Sequence, residues 1–179
     1  MTTRTLLAAL AAAAVLAVAA TAQASGRLDT CLEAISAAEE RHDIPSGLLQ
    51  AIAEIESDLN PLALNVAGRT RVPQSYDQAV ALLYDRAGRP RRDLNIGCMQ
   101  IHTGWHLQAV DGQPQLFLDP EVNVDYGASL LRTLYEREGS WREAVGWYHT
   151  SPAYPNFYRY ICAVDRELRE SGADVHLGC

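Results

Sequence analysis

The chain has 179 residues, of which 48% are hydrophobic and 21% are charged, and its formal net charge is −7. This length supports one domain with a single hydrophobic core, and apolar residues recur too regularly for a disordered chain. Nucleic-acid binding requires a basic surface, so the acidic balance excludes nucleic acid as an expected partner.

The first 24 residues differ in composition from the rest of the chain. They contain eleven alanines and one charged side chain, Arg4, which precedes an apolar run over residues 6–20. The triplet Ala22-Gln23-Ala24 then fits the small-x-small pattern that signal peptidase accepts. We therefore expect residues 1–24 to be a cleaved signal peptide.

An uncleaved membrane anchor is the alternative interpretation of this segment. Its apolar run of 15 residues is shorter than the ~20 residues that a transmembrane helix needs. Cleavage predicts an exported, periplasmic protein that begins at Ser25 and has no integral membrane span. Residues 25–179 would then form one domain with a formal charge of −8, because the positive charge of Arg4 is removed.

Hydrophobic spacing predicts helices along most of the remaining chain. The first is capped by Asp29 or Thr30 and ends near Arg41, and the second has Pro45 in its first turn and ends near Leu59. The later elements are expected to be a helix over residues 77–87 that ends at Gly88, a short strand or extended turn over 94–101, and helices over 120–138, 141–148 and 155–170. The coarse prediction is a single, mainly α domain.

The four cysteines all follow the predicted cleavage site. An even number of cysteines in an exported protein predicts disulfides, and no CxxC spacing suggests a structural zinc site. Three connectivities are possible. We favour Cys31–Cys98, which would join the first helix to the middle of the domain, together with Cys162–Cys179, which would close a short C-terminal loop.

The second helix carries a carboxylate on its apolar face. At ~100° per residue, Glu56 projects between Leu49 and Ile52, whereas Glu54 and Asp58 point away from the apolar stripe. An ionisable group on a buried face costs stability unless it is paired or protonated. Glu56 is therefore either a core-edge residue paired with an arginine or a general acid of the kind that glycosidases use.

The motifs around Glu56 decide between these two interpretations. They follow one another in a fixed order: Glu56-Ser57, Asn60-Pro61, Gly97-Cys98-Met99-Gln100, Trp147-Tyr148-His149 and Tyr160-Ile161-x-x-Val164. This series resembles the soluble lytic transglycosylase (SLT) domain, a lysozyme-like family that cuts bacterial peptidoglycan. The resemblance implies a mainly α, lysozyme-like (goose-type/SLT) single domain with a minimal β or extended segment near the cleft. It also implies peptidoglycan glycan strands as the substrate, with no cofactor.

The resemblance assigns roles to individual positions. Glu56 corresponds to the family's catalytic acid, and Ser57 to a residue that positions substrate groups beside it. The substrate-binding residues implied on the cleft walls are Met99, Gln100, Tyr148, His149 and Tyr160, of which the two tyrosines are expected to flank the carboxyl group.

The chain departs from the family pattern in two places. The family usually has Asn after the tyrosine, where this chain has His149. Such variants look similar to the small transglycosylases of secretion and conjugation machines, which makes a cell-envelope apparatus of that kind a candidate partner. The interval between Glu56 and Gln100 is also longer than in short-loop members.

Three functions are compatible with these residues and motifs. The first is a lytic transglycosylase, in which Glu56 acts as acid and then as base and needs no second carboxylate. The second is a hydrolytic muramidase or chitinase on the same scaffold, and the third is a non-catalytic glycan-binding or assembly module. The Glu56-Ser57 pair argues against the third.

Two further clusters have competing interpretations. His102 and His106 are four residues apart, but no third ligand is near in sequence, so a metal site is not expected. The loop Arg86–Arg92 holds four arginines, which makes it either a solvated loop or a contact for acidic wall components or a secretion-apparatus partner.

Overall fold

Helices account for most of residues 30–179, the part of the chain that the computed structural model describes. The helices are α1 (residues 30–41), α2 (Leu48–Ser57), α3 (Tyr76–Leu82), α4 (Thr103–His106), α5 (Pro120–Glu138), α6 (Trp141–His149) and α7 (Asn156–Ser171). Short 3-10 turns at Leu107–Val110 and Pro114–Leu118 link α4 to α5. The predicted mainly α class is confirmed, whereas the predicted signal peptide lies outside the described residues.

The described residues contain no helix that is both long enough and apolar enough to cross a membrane.

Helix α5 begins and ends where the sequence predicts. The Asp119 side chain accepts hydrogen bonds from the backbone N–H groups of Glu121 and Val122, and Pro120 occupies the first helical position. Gly139 ends the helix with φ +76°, a left-handed conformation that glycine adopts at little cost. Local capping chemistry therefore fixes both ends.

Helix α2 begins later than the sequence predicts. Gly47 has φ +88°, which is incompatible with a helix running through it from Pro45. The buried Glu39 carboxylate of α1 accepts hydrogen bonds from the N–H groups of Gly47, at 3.0 Å, and Leu49, at 2.9 Å. A residue of the preceding helix therefore caps α2, and burial raises the pKa of the Glu39 carboxyl group.

Helix α2 also ends earlier than the predicted Leu59. Asp58 and Leu59 both adopt left-handed backbone conformations, with φ +54° and +53°. The Asp58 N–H still bonds to the Glu54 carbonyl, so the chain turns away directly after Ser57. Glu56 consequently lies in the last turn of the helix.

The prediction of a helix over residues 77–87 is wrong in its second half. Helix α3 ends at Leu82, and the following residues form a tight turn with an antiparallel bridge between Tyr84 and Pro90. The Asp85 carboxylate accepts hydrogen bonds from the N–H groups of Ala87 and Arg89. A side chain that binds nearby backbone N–H groups in this way competes with the helix.

A four-stranded antiparallel sheet takes the place of the single extended segment that the sequence predicts. It comprises β1 (Leu64–Val66), β2 (Arg69–Arg71), β3 (Leu94–Ile96) and β4 (Ile101–His102), in the order β2-β1-β3-β4. Directly paired residues share one face of a sheet. The register therefore places a polar row on one face, formed by Thr70, Asn65, Asn95 and His102.

The core lies between the long helices and the buried face of this sheet. Helix α5 packs on α6, α6 on α7, and α7 on α2. Two disulfides tie the periphery to this core: Cys31–Cys98 joins α1 to the turn after β3, and Cys162–Cys179 joins α7 to the C-terminal segment. The favoured pairing is confirmed.

Candidate active site

Glu56 projects from the last turn of α2 into a cavity of about 640 Å³. Its side chain is only 17% exposed, in agreement with its predicted position on the apolar face of the helix, between Leu49 and Ile52. Among the described residues that line this cavity, Glu56 is the only one with a carboxyl group. Glu54 instead accepts a hydrogen bond from Gln50 of the same helix. The site thus contains a single partly buried acid.

Tyr160 of α7 is the direct hydrogen-bonding partner of this acid. Its hydroxyl donates to Oε1 of Glu56 at 2.7 Å. Burial raises the pKa of the Tyr160 hydroxyl well above its usual value of 10, and the charge of Glu56 adds to the effect. Tyr160 therefore stays protonated and keeps its donor at neutral pH.

His149, the last residue of α6, lies next to both Tyr160 and Glu56. The two rings are stacked, with centroids 4.2 Å apart and an interplanar angle of 7°. The Nδ1 atom of His149 is 3.7 Å from Oε1 of Glu56. Both rings thus converge on the same carboxylate oxygen, and His149 lines the cavity as predicted for a cleft residue.

Tyr148 supports the wall of the cavity rather than the carboxyl group itself. Its hydroxyl donates to the backbone carbonyl of Met99 at 2.9 Å, and burial raises its pKa well above 10, with a smaller contribution from the charge of Glu56. The close approach of α5 depends on Gly127, where a Cβ would lie 2.8 Å from the Met99 side chain and 3.1 Å from the Tyr148 hydroxyl.

The turn Gly97–Gln100 forms the wall facing α2. Asn123 of α5 is fully buried and holds this turn: its Oδ1 accepts from the Met99 N–H at 2.8 Å, while its Nδ2 donates to the Ile96 carbonyl at 2.8 Å. A Cβ at Gly97 would lie 2.5 Å from Nδ2 of Asn123, so this contact requires glycine. The Asn123 amide therefore fixes the position of the turn that forms this wall of the cavity.

Ser57 and Met99 contact other parts of the protein and are not among the residues that line the cavity. The Ser57 hydroxyl lies 2.8 Å from the Cys98 carbonyl oxygen and ties α2 to the opposite wall. The Met99 side chain has no exposed surface, because it packs beneath the wall against α5. A substrate contact for Ser57 stays a prediction, whereas Met99 as placed contributes packing and not a sugar-binding surface.

Gln100 lines the cavity from a strained backbone. Its φ is +47°, a conformation that is costly for a residue other than glycine and is found disproportionately at functional sites. Its amide nitrogen donates to the carbonyls of Ala63 and Gly97. These bonds fix the orientation of the side chain, so that Gln100 presents a defined polar surface next to Glu56.

The arrangement agrees with a known family. The family model described as "Transglycosylase SLT domain" matches residues 33–157, which include Glu56, Gln100, Tyr148 and His149. The chain belongs to the SLT family.

Two curated relatives have the same printed name, "Protein IpgF", and come from Shigella sonnei and Shigella flexneri. Each is 32% identical to this chain over 117 residues, a stretch that covers 64% of this chain and 64% of the relative. The chain thus aligns with slightly less than two thirds of the length of each relative. No solved structure matches it.

The rim of the SLT cavity combines polar and aromatic groups. Asn95 and His102, two members of the polar row on the sheet, line it together with Trp105, whose surface is 82% exposed. A second cavity of about 280 Å³ adjoins the first and is lined mostly by apolar side chains. The two cavities share five lining residues: Gln100, His102, His106, Trp147 and Tyr148. Exposed indole beside polar side chains is a surface suited to sugar rings.

The two histidines of the predicted pair line the cavity and are partly buried. His106 Nδ1 lies 2.9 Å from the Tyr126 hydroxyl, and burial lowers the pKa of both His102 and His106. Across residues 30–179, no group of three or more His, Cys, Asp or Glu side chains is arranged to hold a metal ion.

The arginine-rich loop is largely paired with its own neighbours. Arg89 forms an ion pair with Asp85, and Arg91 with Asp93. Arg92 donates to the Gly104 carbonyl at 2.7 Å and so ties the loop to α4, beside Trp105. These contacts favour a structural role for the loop.

Several residues of the site escaped the sequence analysis, among them Asn95, which lines the cavity. Asn123 holds the Gly97–Gln100 turn, and the Asn156 side chain lies 3.0 Å from Nε2 of His149. Asn123 offered one signal, since it is an amide on the buried face of α5, which it shares with Val124, Gly127, Ala128 and Leu131. Asn156 offered none, because its contact depends on how α7 packs against the end of α6.

Proposed function

We propose that this SLT domain is a peptidoglycan lytic transglycosylase, which cleaves the β-1,4 bond between N-acetylmuramic acid and N-acetylglucosamine and leaves 1,6-anhydromuramic ends. The observation that carries the proposal is the single carboxyl group of the cavity, with the Tyr160 hydroxyl 2.7 Å from its Oε1. A glycosidase of the common two-carboxylate type needs a second acid within about 5–10 Å, flanking the bond. The described lining of the cavity supplies no such partner.

The first step is proton transfer from Glu56 to the glycosidic oxygen. The bond between C1 of N-acetylmuramic acid and that oxygen breaks, and the released N-acetylglucosamine keeps the proton as a hydroxyl group. The N-acetyl group of the substrate helps to stabilise the charge that develops at C1. Tyr160 donates to the carboxylate that forms, which favours the transfer because the hydrogen bond strengthens as charge appears.

The second step returns a proton to Glu56. The C6 hydroxyl oxygen of the same sugar attacks C1, and its proton passes to the Glu56 carboxylate. The new C6–O–C1 bond closes the 1,6-anhydro ring, so no water is consumed and the acid is restored. One residue that serves in turn as acid and base accounts for a site with a single carboxyl group.

The side chains that line the cavity are of the kinds that bind a glycan. Gln100, Asn95 and His102 present polar groups, and Trp105 presents an exposed aromatic face at the rim. Sugars are bound by this combination of hydrogen bonds and aromatic stacking. Tyr148 and His149 complete the side of the cavity nearest to the acid.

The proposal also includes the cellular compartment of the protein and the partner with which it works. A signal peptide over residues 1–24 and a mature domain over 25–179 would deliver the enzyme to the periplasm, where its substrate lies. Two disulfides within the described residues are typical of proteins that fold outside the cytoplasm. A cell-envelope secretion or conjugation apparatus is the proposed partner, and nucleic acid is not.

The test is the mass of the fragments released from purified peptidoglycan. A lytic transglycosylase releases 1,6-anhydromuropeptides, which are one water lighter than the reducing-end products of a hydrolytic muramidase. A glycan-binding module without activity releases neither. Glu56→Gln should abolish release, while Glu54→Gln, a change on the same helix outside the cavity, should leave it intact; reducing-end products from the unmodified protein would overturn the proposal.

A further inference from the structure

The two disulfides of the protein differ in how far they are exposed to solvent. Cys31 and Cys98 have no exposed surface. Cys162 and Cys179 are both exposed, and both line a surface cavity of about 550 Å³. Because an incoming thiolate must reach a sulfur atom in order to attack it, solvent access distinguishes the two bonds chemically.

We propose that Cys162–Cys179 is a thiol–disulfide exchange site for a dithiol. The dithiol attacks Sγ of Cys162, and Cys179 leaves as a thiolate, which frees the C-terminal segment (residues 173–179) from its cross-link to α7. The buried disulfide stays closed as a structural bond. Neither Cys162 nor Cys179 lines the catalytic cavity, so the inference does not depend on the role of Glu56.

A thiol reaches this disulfide across a polar surface. Besides the two cysteines, the cavity is lined by Arg166, Arg169 and Glu170. The side chain of Arg166 is 64% exposed, and its nitrogens lie 3.7 Å from Glu167 and 3.9 Å from Glu170. Exposed pairs of this kind hold a side chain only weakly. A thiol can therefore enter the cavity without displacing a residue of the core.

The position of Arg142 indicates which sulfur leaves. Its Nη1 atom lies 3.8 Å from Sγ of Cys179. A positive charge beside a sulfur atom stabilises the thiolate, and a stabilised thiolate is the better leaving group. Arg166, one helical turn after Cys162, pairs with glutamates instead. Attack is therefore expected at Sγ of Cys162, with Cys179 as the leaving group.

The exchange is a balanced two-electron reduction of the protein. One thiolate of the dithiol forms a bond to Sγ of Cys162, and the electron pair of the broken S–S bond stays on Sγ of Cys179. The second thiolate of the dithiol attacks the dithiol's own sulfur in the mixed disulfide and releases Cys162 as a thiolate. The dithiol ends as a disulfide, and its two protons pass through solvent to the two cysteines.

The C-terminal segment has other contacts that remain after the exchange. Asp165 of α7 is fully buried, and it accepts hydrogen bonds from the N–H groups of Leu177, at 2.6 Å, and Cys179, at 3.2 Å. Arg142 of α6 donates to the Leu177 carbonyl. These contacts keep the segment docked for most of the time, but without the cross-link it can open locally. Reduction thus converts a fixed segment into one that opens reversibly.

The first test measures how fast each disulfide is reduced. The folded protein is treated with dithiothreitol at neutral pH, the reaction is stopped with acid, and the free thiols are alkylated and located by mass spectrometry. Cys162 and Cys179 should become free at least about tenfold faster than Cys31 and Cys98. Equal rates, or faster opening of the Cys31–Cys98 bond, would overturn the proposal.

The second test uses glutathione, a monothiol, which forms the mixed disulfide without the second step. The adduct should be at least about threefold more abundant on Cys162 than on Cys179. In Arg142→Gln this ratio should approach one. Arg159→Gln, which changes an exposed arginine of α7 outside the cavity lining, should keep the ratio. A majority of adduct on Cys179, or an unchanged ratio in Arg142→Gln, would contradict the assigned direction of attack.

The third test follows the C-terminal segment by hydrogen exchange. Reduction should raise the exchange rates of the Leu177 and Cys179 amides at least about tenfold relative to that of Val164, a buried residue of α7. The double variant Cys162→Ser/Cys179→Ser should show the same effect without a reductant. If this variant does not fold, the reduced unmodified protein decides. Unchanged relative rates would contradict release of the segment.

The Glu56→Gln variant separates this inference from the proposed function. Its Cys162–Cys179 bond should be reduced as fast as that of the unmodified protein, because the disulfide lies outside the lining of the catalytic cavity. If peptidoglycan yields no anhydromuropeptides but this bond is reduced selectively, only the proposed function fails. If anhydromuropeptides appear and the two disulfides are reduced equally fast, only the inference fails.

Discussion

The hydrogen bond between Tyr160 and Glu56 provides a sharp quantitative prediction. Tyr160→Phe removes one hydroxyl and retains the ring, which is 6% exposed and stacked on His149. Hydrogen bonds to charged groups contribute about 1.5–3 kcal/mol. Because this bond strengthens as Glu56 loses its proton, we expect kcat to fall roughly 10- to 150-fold.

The assay is the rate of fragment release from purified peptidoglycan at neutral pH. Tyr158→Phe is the matched control, since Tyr158 lies two residues away on α7 and its ring is 56% exposed. Burial raises the pKa of Tyr160 well above 10, so the hydroxyl remains a donor and the loss should be constant from neutral pH to about pH 9. A Tyr160→Phe rate within twofold of the control would refute the assigned role of this bond.

Three further predictions concern the framework and the rim of the site. Asn123→Ala removes the buried amide that holds the Gly97–Gln100 turn. Unfolding by denaturant should show that the free energy of unfolding falls by about 3 kcal/mol, and the activity should fall as well. Unchanged stability would contradict the role of Asn123 in holding the turn. Replacing both Cys162 and Cys179 by Ser removes a cross-link with a sequence separation of 17. The free energy of unfolding should fall by about 3 kcal/mol. An unchanged midpoint of denaturant unfolding would contradict this prediction. Trp105→Ala, introduced into the inactive Glu56→Gln variant, should weaken the binding of glycan fragments by about 2- to 10-fold. The melting temperature should not change, because Trp105 is 82% exposed. Equal affinity with and without Trp105→Ala would exclude Trp105 from the binding surface.

The success of the sequence-based predictions depended on whether the deciding contacts are local. The ends of α5 were predictable because Asp119, Pro120 and Gly139 act within one turn of the helix they delimit. The late start of α2 was not, because the cap comes from Glu39 on a different helix. Helix α3 stopped early because Asp85 bonds to nearby backbone N–H groups, which hydrophobic spacing does not detect.

Strands β1 and β2 were missed because each has only three residues, too few for an alternating pattern to stand out. The residues between them, Ala67 and Gly68, both have positive φ, as a tight hairpin turn requires. That pair of small residues after Leu64-Asn65-Val66 was the available signal.

In the candidate site, too, some features were predictable from the sequence, whereas others depend on tertiary packing. Glu56 was identifiable from its place on an apolar helix face and from the motifs that follow it. The acid's tyrosine and histidine neighbours were expected in the cleft, but the 2.7 Å bond from Tyr160 and the stacking of His149 depend on how α7 packs against α6 and α2. The burial of Met99 under α5 is likewise a result of tertiary packing that its motif does not encode.

The origin of the oxygen atoms in the products tests the central claim most directly. Purified peptidoglycan is digested in water labelled with heavy oxygen, and the released fragments are analysed by mass spectrometry. If Glu56 acts as acid and then as base on the C6 hydroxyl, the muramic acid ends carry no label and are one water lighter than reducing ends. Incorporation of labelled oxygen at C1 would show that water is the nucleophile and would contradict the account.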